Sequence, residues 1–433
     1  MTARRAFVLA LAALSSVWSY TSASALCAAP RNEIYETVAV KTDDGFVVAY
    51  SFGFDGTSEI GVRTIKLGAN GKATGVKATH RTFGRGSASL VLRPNGNDAT
   101  LTIIEHEHEP SRSRSEVVVS SGPAFGALNR VATLPVAVRG EGEGVATKDG
   151  FLLRVTGSNQ ADDRSNEFVA LDANGALVAR SSHPGIDKGH VALGLGGFGA
   201  IVSRYQHGSE PAVELYGLSN DGKTITCSGA TCSPENPPVK MRIGGASRGA
   251  PRMAFGPTND GGVVVASSDD GTDVAHVSST WTLTQHPRLT TAGSPTAYNN
   301  RRGDVVVFFE DRQSPSVVIA SAEGKSVGTA IDRGARRAPL ACNAEACLGL
   351  ELRNGEVVAH LLDDDLVPKS TEVIEAAQPA VNEPCNDSPE VDSGCSVTRR
   401  TRSFGGFGLV AVALAIALRR WRIRSRRRRD RAA

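Results

Sequence analysis

Helix-like periodicity is scarce in this chain, and aromatic residues make up only 5% of its 433 residues. A helical bundle therefore has little to be built from, and the hydrophobic 40% of the chain must be buried mainly by strands. There is no P-loop, no Rossmann glycine pattern, no H-E-x-x-H and no kinase motif set. Those absences remove nucleotide hydrolases, dinucleotide oxidoreductases, zincin proteases and protein kinases. A glycosidase survives the test, because its paired carboxylates come from distant strands and leave no local pattern. Seven cysteines are too few to staple a disulfide scaffold.

A basic body is also missing, although the overall charge is positive. The total is +3; removing the +2 of Arg4 and Arg5 and the +11 carried from Arg399 onward leaves −10 for residues 26–398. Phosphate binding needs a basic face, so an acidic body argues against nucleic acid as a partner.

What is present begins with "MTARRAFVLALAALSSVWSYTSASALC". Two arginines, a short apolar run and an A-x-A site ending at Ala25 predict a secretory signal peptide over residues 1–25, with Leu26 as the first mature residue. Twin-arginine export is the second route. Cys27 follows Leu26 rather than a small residue, so it reads as a disulfide or free cysteine instead of a lipid attachment site.

Residues 26–372 carry a repeat. Short apolar strands begin at roughly 40- to 60-residue intervals with "DGFVVAYS", "NDATLTIIEHE", "DGFLLRVTG", "GGFGAIVSRY", "DGGVVVASSD", "RGDVVVFFED" and "ACLGLELRN". A second half of the unit recurs in "EIGVRTIKLGANGKATG", "NEFVALDANGALVA", "AVELYGLSNDGKTIT" and "SVVIASAEGKSVG". There Gly71, Gly175, Gly222 and Gly324 sit where a tight hairpin demands positive φ. Four strands and their turns need about 40–50 residues, the period of a propeller blade. The predicted fold is all-β, a β-propeller of about seven four-stranded blades, with two or three β-sandwich domains as the alternative.

Cys227 with Cys232 and Cys342 with Cys347 are each spaced C-x4-C. Zinc half-sites compete with local disulfides, and disulfides lead because no histidine pair accompanies them. "EHEHE" puts His106 and His108 on one face of a strand, a pair able to contribute to a zinc or copper site that lacks a third ligand. Asp363–Asp365 could offer carboxylates to calcium, but without the D-x-D-x-D-G spacing they read as a solvated turn. "GASRG" around Ser247 matches G-x-S-x-G, yet Pro251 blocks the helix a nucleophile elbow requires. "SSDDGTD" around Asp269 partly resembles the Asp-box turn of sialidase-like propellers, and "RGD" at Arg302–Asp304 reads as accidental. No catalytic residue and no cofactor is assigned, and nothing in the pattern sets an oligomeric state.

From 373 to 402 the composition turns to Pro, Ser, Asn, Asp and Glu without periodicity, which predicts a flexible stalk. Residues 403–418 are uncharged, about 24 Å as a helix against a ~30 Å hydrocarbon core. Snorkelling by Arg419 and Arg420 closes that gap and keeps the arginine cluster cytoplasmic, which makes residues 403–433 a transmembrane anchor.

"GCSVTRRTRSFGGFGLVAVALAIALRRWRIRSRRRR" resembles the MYXO-CTERM sorting domain of myxobacterial exported proteins: Cys395 after a low-complexity spacer, a short glycine-containing span, then terminal arginines. The resemblance implies recognition in the inner membrane by a sorting protease, cleavage near Cys395, and a body retained at the cell surface. Arg399, Arg400 and Arg402, between the cysteine and the span, keep a GlyGly-type tag and a plain stop-transfer anchor open. The combined expectation is an exported cell-surface propeller that binds carbohydrate, peptide or protein. A surface glycoside hydrolase and a structural envelope component are the alternatives.

Overall fold

A computed structural model describes residues 30–376, apart from 55–59, 83–87, 110–113, 137–138, 159–163, 187–188, 209, 245–248, 311–314 and 354–355. The described chain contains strands and no helix, arranged as seven antiparallel sheets in sequence order. These are the blades of a β-propeller. Their innermost strands are Pro30–Lys41, Ala88–Asn95, Arg139–Ala146, Val191–Gly196, Arg252–Pro257, Ser294–Asn299 and Ala341–Cys342. The outermost strand of blade 7, Pro368–Glu375, runs past the expected boundary at 372.

The core lies between the blades as seven hydrophobic clusters, one for each interface. Strand alternation divides the side chains: on Gly261–Ser268, Val264 packs toward blade 4 while Val263 and Val265 pack toward blade 6. Both faces of such a strand are therefore covered, and all eight of its residues are buried. Each buried valine or leucine contributes roughly 1.5–3 kcal/mol of transfer free energy, which is why these runs are so apolar.

That burial explains which strands carry the repeat. The apolar strands on which the repeat was counted are the second strands of their blades, for example Gly45–Phe54 and Gly150–Ser158, each preceded by a less apolar innermost strand. Gly71, Gly175, Gly222 and Gly324 fall at the turns between third and outermost strands, with φ of 75°, 84°, 69° and 66°. The longest interval in the repeat belongs to blade 4. There Ala212–Leu218 pairs with Ile225–Cys227 at one end and Val239–Arg242 at the other, and a small hairpin intervenes. The Cys227–Cys232 disulfide closes that hairpin, with Cα atoms 4.8 Å apart.

Every blade is contiguous in sequence. The ring closes where blade 7 meets blade 1, through Phe46, Val48, Phe52, Leu348, Val357 and Ala359, rather than through a shared sheet.

Candidate functional site

Blade 7 has a shortened innermost strand of two residues, where the other blades have six to twelve. Local chemistry sets both limits. Pro339 has no N–H to offer a ladder. Asn343 then ends the strand by folding its Oδ1 back onto the N–H groups of Glu345 and Ala346, both at 2.8 Å. Only Ala341–Leu348 and Cys342–Cys347 remain as register pairs, and the Cys342–Cys347 disulfide joins the second pair covalently.

The short strand leaves a cleft of about 630 Å³ between blades 6 and 7, reached also by Lys41 at the end of blade 1's innermost strand. Its walls are Ala297–Arg301 with Gly303 on one side and Pro339–Ala344 on the other. The adjoining blade 6–blade 7 cluster has six buried residues, fewer than any other interface. Lys41, the Asn300–Gly303 turn and the Asn343–Ala344 turn all connect innermost to second strands. They therefore lie on the same face of the ring, at the mouth of the central channel.

The blade 6 turn is rigid. Asn300 Oδ1 accepts from the N–H groups of Arg302 and Asp304, both at 2.9 Å, and Gly303 takes φ 84°. Arg301 reaches from this turn across to blade 7, donating to Asp364 at 2.8 and 2.6 Å and to the Ala344 carbonyl at 3.1 Å. Its guanidinium holds the Asp364 carboxyl below the usual range. The "RGD" stretch is thus part of a structural turn, with Asp304 Oδ1 accepting from Ala322 N at 3.1 Å.

Three donors in the cleft are unclaimed among the described residues. Lys41 is exposed and forms no ion pair, Asn343 Nδ2 has no partner, and the Tyr298 hydroxyl makes no hydrogen bond. Tyr298 packs edge-on to Phe308 at 6.1 Å, and burial, together with the Glu310 and Glu36 carboxylates, pushes its phenol up to about 12, so it stays a neutral donor. Among the described residues no carboxylate lines the cleft. The channel carboxylates are engaged elsewhere as staples between blades: Glu36 Oε1 accepts from Leu90 N at 3.1 Å, and Glu143 Oε1 from Leu193 N and Arg154 Nε, both at 2.5 Å. Burial pushes Glu36 up to about 7, against the opposing Leu90 hydrogen bond.

Two other constellations resemble catalytic groups. Thr258 and Asp260 both approach Nε2 of buried His276 at 3.2 Å, so no hydroxyl–imidazole–carboxylate relay exists there. In blade 7, His360 Nδ1 meets Thr371 Oγ1 and Nε2 meets Glu351, each at 3.0 Å, while Arg337 grips Glu351. Its hydroxyl lies on the outermost strand, and none of its members lines the cleft.

The residues singled out in the sequence fall in several places. His106 and His108 lie on the second strand of blade 2, and their side chains are outside the described residues. Among the described residues no group of three or more His, Cys, Asp or Glu could hold a metal. Both predicted disulfides are present. Asp363 Oδ1 is taken by the N–H groups of Asp365 and Val367 at 2.9 Å, as a turn requires. Asp269 sits in a turn between second and third strands, closed by Gly271 at φ 144°. Ser247, Cys27, Cys395, Arg419 and Arg420 lie outside the described residues, as do the segments expected to be a signal peptide and an anchor and most of the expected stalk. Lys41, Tyr298 and Asn343 escaped sequence reading; the signal that marks the site is Pro339 and Asn343 crowding a two-residue strand.

No family model matches the chain, and no curated protein matches it by sequence. Among solved structures, it is similar to a protein from Lactobacillus plantarum at 12% identity and a TM-score of 0.45, covering 79% of this chain and 96% of that one. It is similar to an acylaminoacyl peptidase from Pyrococcus horikoshii at 10% identity and a TM-score of 0.44, covering 80% of this chain and 53% of the peptidase. TolB from Acinetobacter baumannii matches at 12% identity and a TM-score of 0.30, covering 67% of this chain and 78% of TolB. The propeller assignment rests on this chain's own strand pairing and ring of interfaces.

Proposed function

We propose that this protein is an exported cell-surface binding module that takes its ligand in the cleft between blades 6 and 7. The observation that carries the reading is the set of unclaimed donors, Lys41, Tyr298 and Asn343, around a cleft that a shortened strand leaves open. Two disulfides suit an oxidising compartment. Among the described residues no Asp or Glu lines the cleft, so it lacks the carboxylate pair a glycoside hydrolase uses. The tail, by its MYXO-CTERM resemblance, is the proposed route to the surface. Mass spectrometry of the surface form tests that part: an intact C-terminus at Ala433 makes it a simple membrane anchor.

Binding is tested with the full chain in detergent on glycan and peptide arrays, beside turnover assays on nitrophenyl glycosides. A saturable ligand lost in Ala344→Trp, a bulky change at an exposed rim position, is the expected result. Glycoside turnover without any saturable ligand sinks the proposal.

A further inference from the structure

The geometry points to the occupant of this cleft: we infer that it takes the carboxylate-bearing end of an extended peptide. The inference rests on the binding reading above and adds the ligand's chemistry to it.

Three observations converge. The first is charge. Lys41, Tyr298 and Asn343 put unclaimed donors on the cleft wall, one of them an ammonium; Asn299 Oδ1 is an acceptor beside them, and among the described residues no carboxylate lines the wall. The body around it carries a net −10 once the leader and the tail from Arg399 are set aside from the total of +3. A cleft wall that carries an ammonium and no carboxylate, set in an acidic body, selects an anion locally while the body repels anions elsewhere. A carboxylate accepts up to four hydrogen bonds and suits an ammonium with an amide N–H donor.

The second observation is backbone. Ser294–Asn299 and Ala341–Cys342 are terminal strands of their sheets, so the channel edge of each has no ladder partner. Packing between innermost strands runs continuously from blade 1 to blade 6, and blade 1 packs on blade 7; the cleft occupies the break between blades 6 and 7. A guest in extended conformation can pair with such an edge, which supplies affinity through main-chain hydrogen bonds.

The third observation is size and lining. A volume of about 630 Å³ falls within the ~300–1,000 Å³ of small-ligand sites, enough for a chain end but not a through-running strand. A sugar ligand would favour exposed aromatic platforms. The cleft has one aromatic, Tyr298, and it is packed against Phe308.

The test uses the full chain in detergent and two hexapeptide libraries without Asp or Glu, one ending in a free carboxylate and the other amidated. Tri-galacturonate serves as a carboxylate that is not a peptide. Expected is capture from the free-acid library, with enriched peptides at least tenfold weaker when amidated. Lys41→Gln should weaken the free acids about tenfold and leave amides unchanged, whereas Lys41→Arg retains binding. Lys41 is exposed, so melting temperature should not move in either variant. Equal capture of both libraries overturns the carboxylate, and tri-galacturonate binding as tightly as the peptides overturns the peptide. A glycan ligand displaced by Ala344→Trp, with neither library captured, sinks this inference while the binding reading stands. No saturable ligand of any kind sinks both.

Discussion

Glu36→Gln should stabilise the protein at pH 8 and leave it almost unchanged at pH 4.5. Burial between blades 1 and 2 raises the Glu36 carboxyl from 4.5 to about 7, and Leu90 N donates to it at 3.1 Å. Between those two values the folded state holds a proton that the unfolded chain has released, so stability falls as pH rises through the window. At 1.36 kcal/mol per pH unit, the 2.5-unit gap amounts to about 3 kcal/mol lost by pH 8. Glutamine is neutral throughout and its carbonyl can still accept from Leu90. At roughly 2.1 cal/mol/K of unfolding entropy per residue, a ring of this size gains about 4 °C. Calorimetry of wild type and variant at the two pH values reads the difference, in which Glu375, also raised to about 7, cancels. Equal gaps at both pH values, or a gap that opens only at acid pH, would refute the reasoning.

Cys342→Ser with Cys347→Ser should cost about 2 kcal/mol, the loop-closure value for a six-residue loop, and should weaken ligand binding more than the same pair of changes at Cys227 and Cys232; denaturation and binding isotherms check both. Gly324→Ala should cost about 2–4 kcal/mol, since its φ of 66° strains any side chain and a Cβ would run into the His276 ring. Gly185→Ala, at φ 99° with nothing within 4 Å of the added Cβ, should cost only the backbone strain of about 1–2 kcal/mol, read by the same melts. Arg63→Met should cost about 1–3 kcal/mol by leaving half-buried Glu375 unpaired, whereas Arg63→Met with Glu375→Leu should be near neutral in a double-mutant cycle.

The turns and doubly covered strands were legible because their chemistry is local. Gly222 follows an alternating strand in "NDG", and "GGVVVASS" is apolar without a break because blades cover both its faces. The innermost strands were not legible, because one edge faces the channel and the requirement on their residues is set by the neighbouring blade. Gly142 and Gly194 look like weak strand residues, yet a Cβ at either would collide with Ile104 or Phe255 of the adjacent blade. The cleft was hidden for the same reason: Lys41, Tyr298 and Asn343 come from three blades, and their convergence depends on ring closure.

Ring closure also ties the cleft to stability. Among the described residues no hydrogen-bonded strand pairing crosses from blade 7 to blade 1, so that seam depends on one hydrophobic cluster and the half-buried Arg63–Glu375 pair at 3.2 Å. Part of that pair is poorly compensated: among the described residues, Arg63 Nε and Glu375 Oε2 are buried without a hydrogen-bond partner. A buried ion pair left half-satisfied contributes little net stability. The seam, like the other blade interfaces, is held by side chains without a shared ladder, so local opening can begin there. Lys41 belongs to blade 1 and Asn343 to blade 7, so a ligand held by both spans the seam from the channel side. Binding and closure are then linked: ligand at 100 times its dissociation constant should add about 2.7 kcal/mol to the folded ring. Slower hydrogen exchange should appear at Phe46–Tyr50 and Leu348–Leu350, the strands that meet across the seam. Protection confined to Ala297–Asn299 would mean the ligand contacts blade 6 alone and leaves the seam uncoupled.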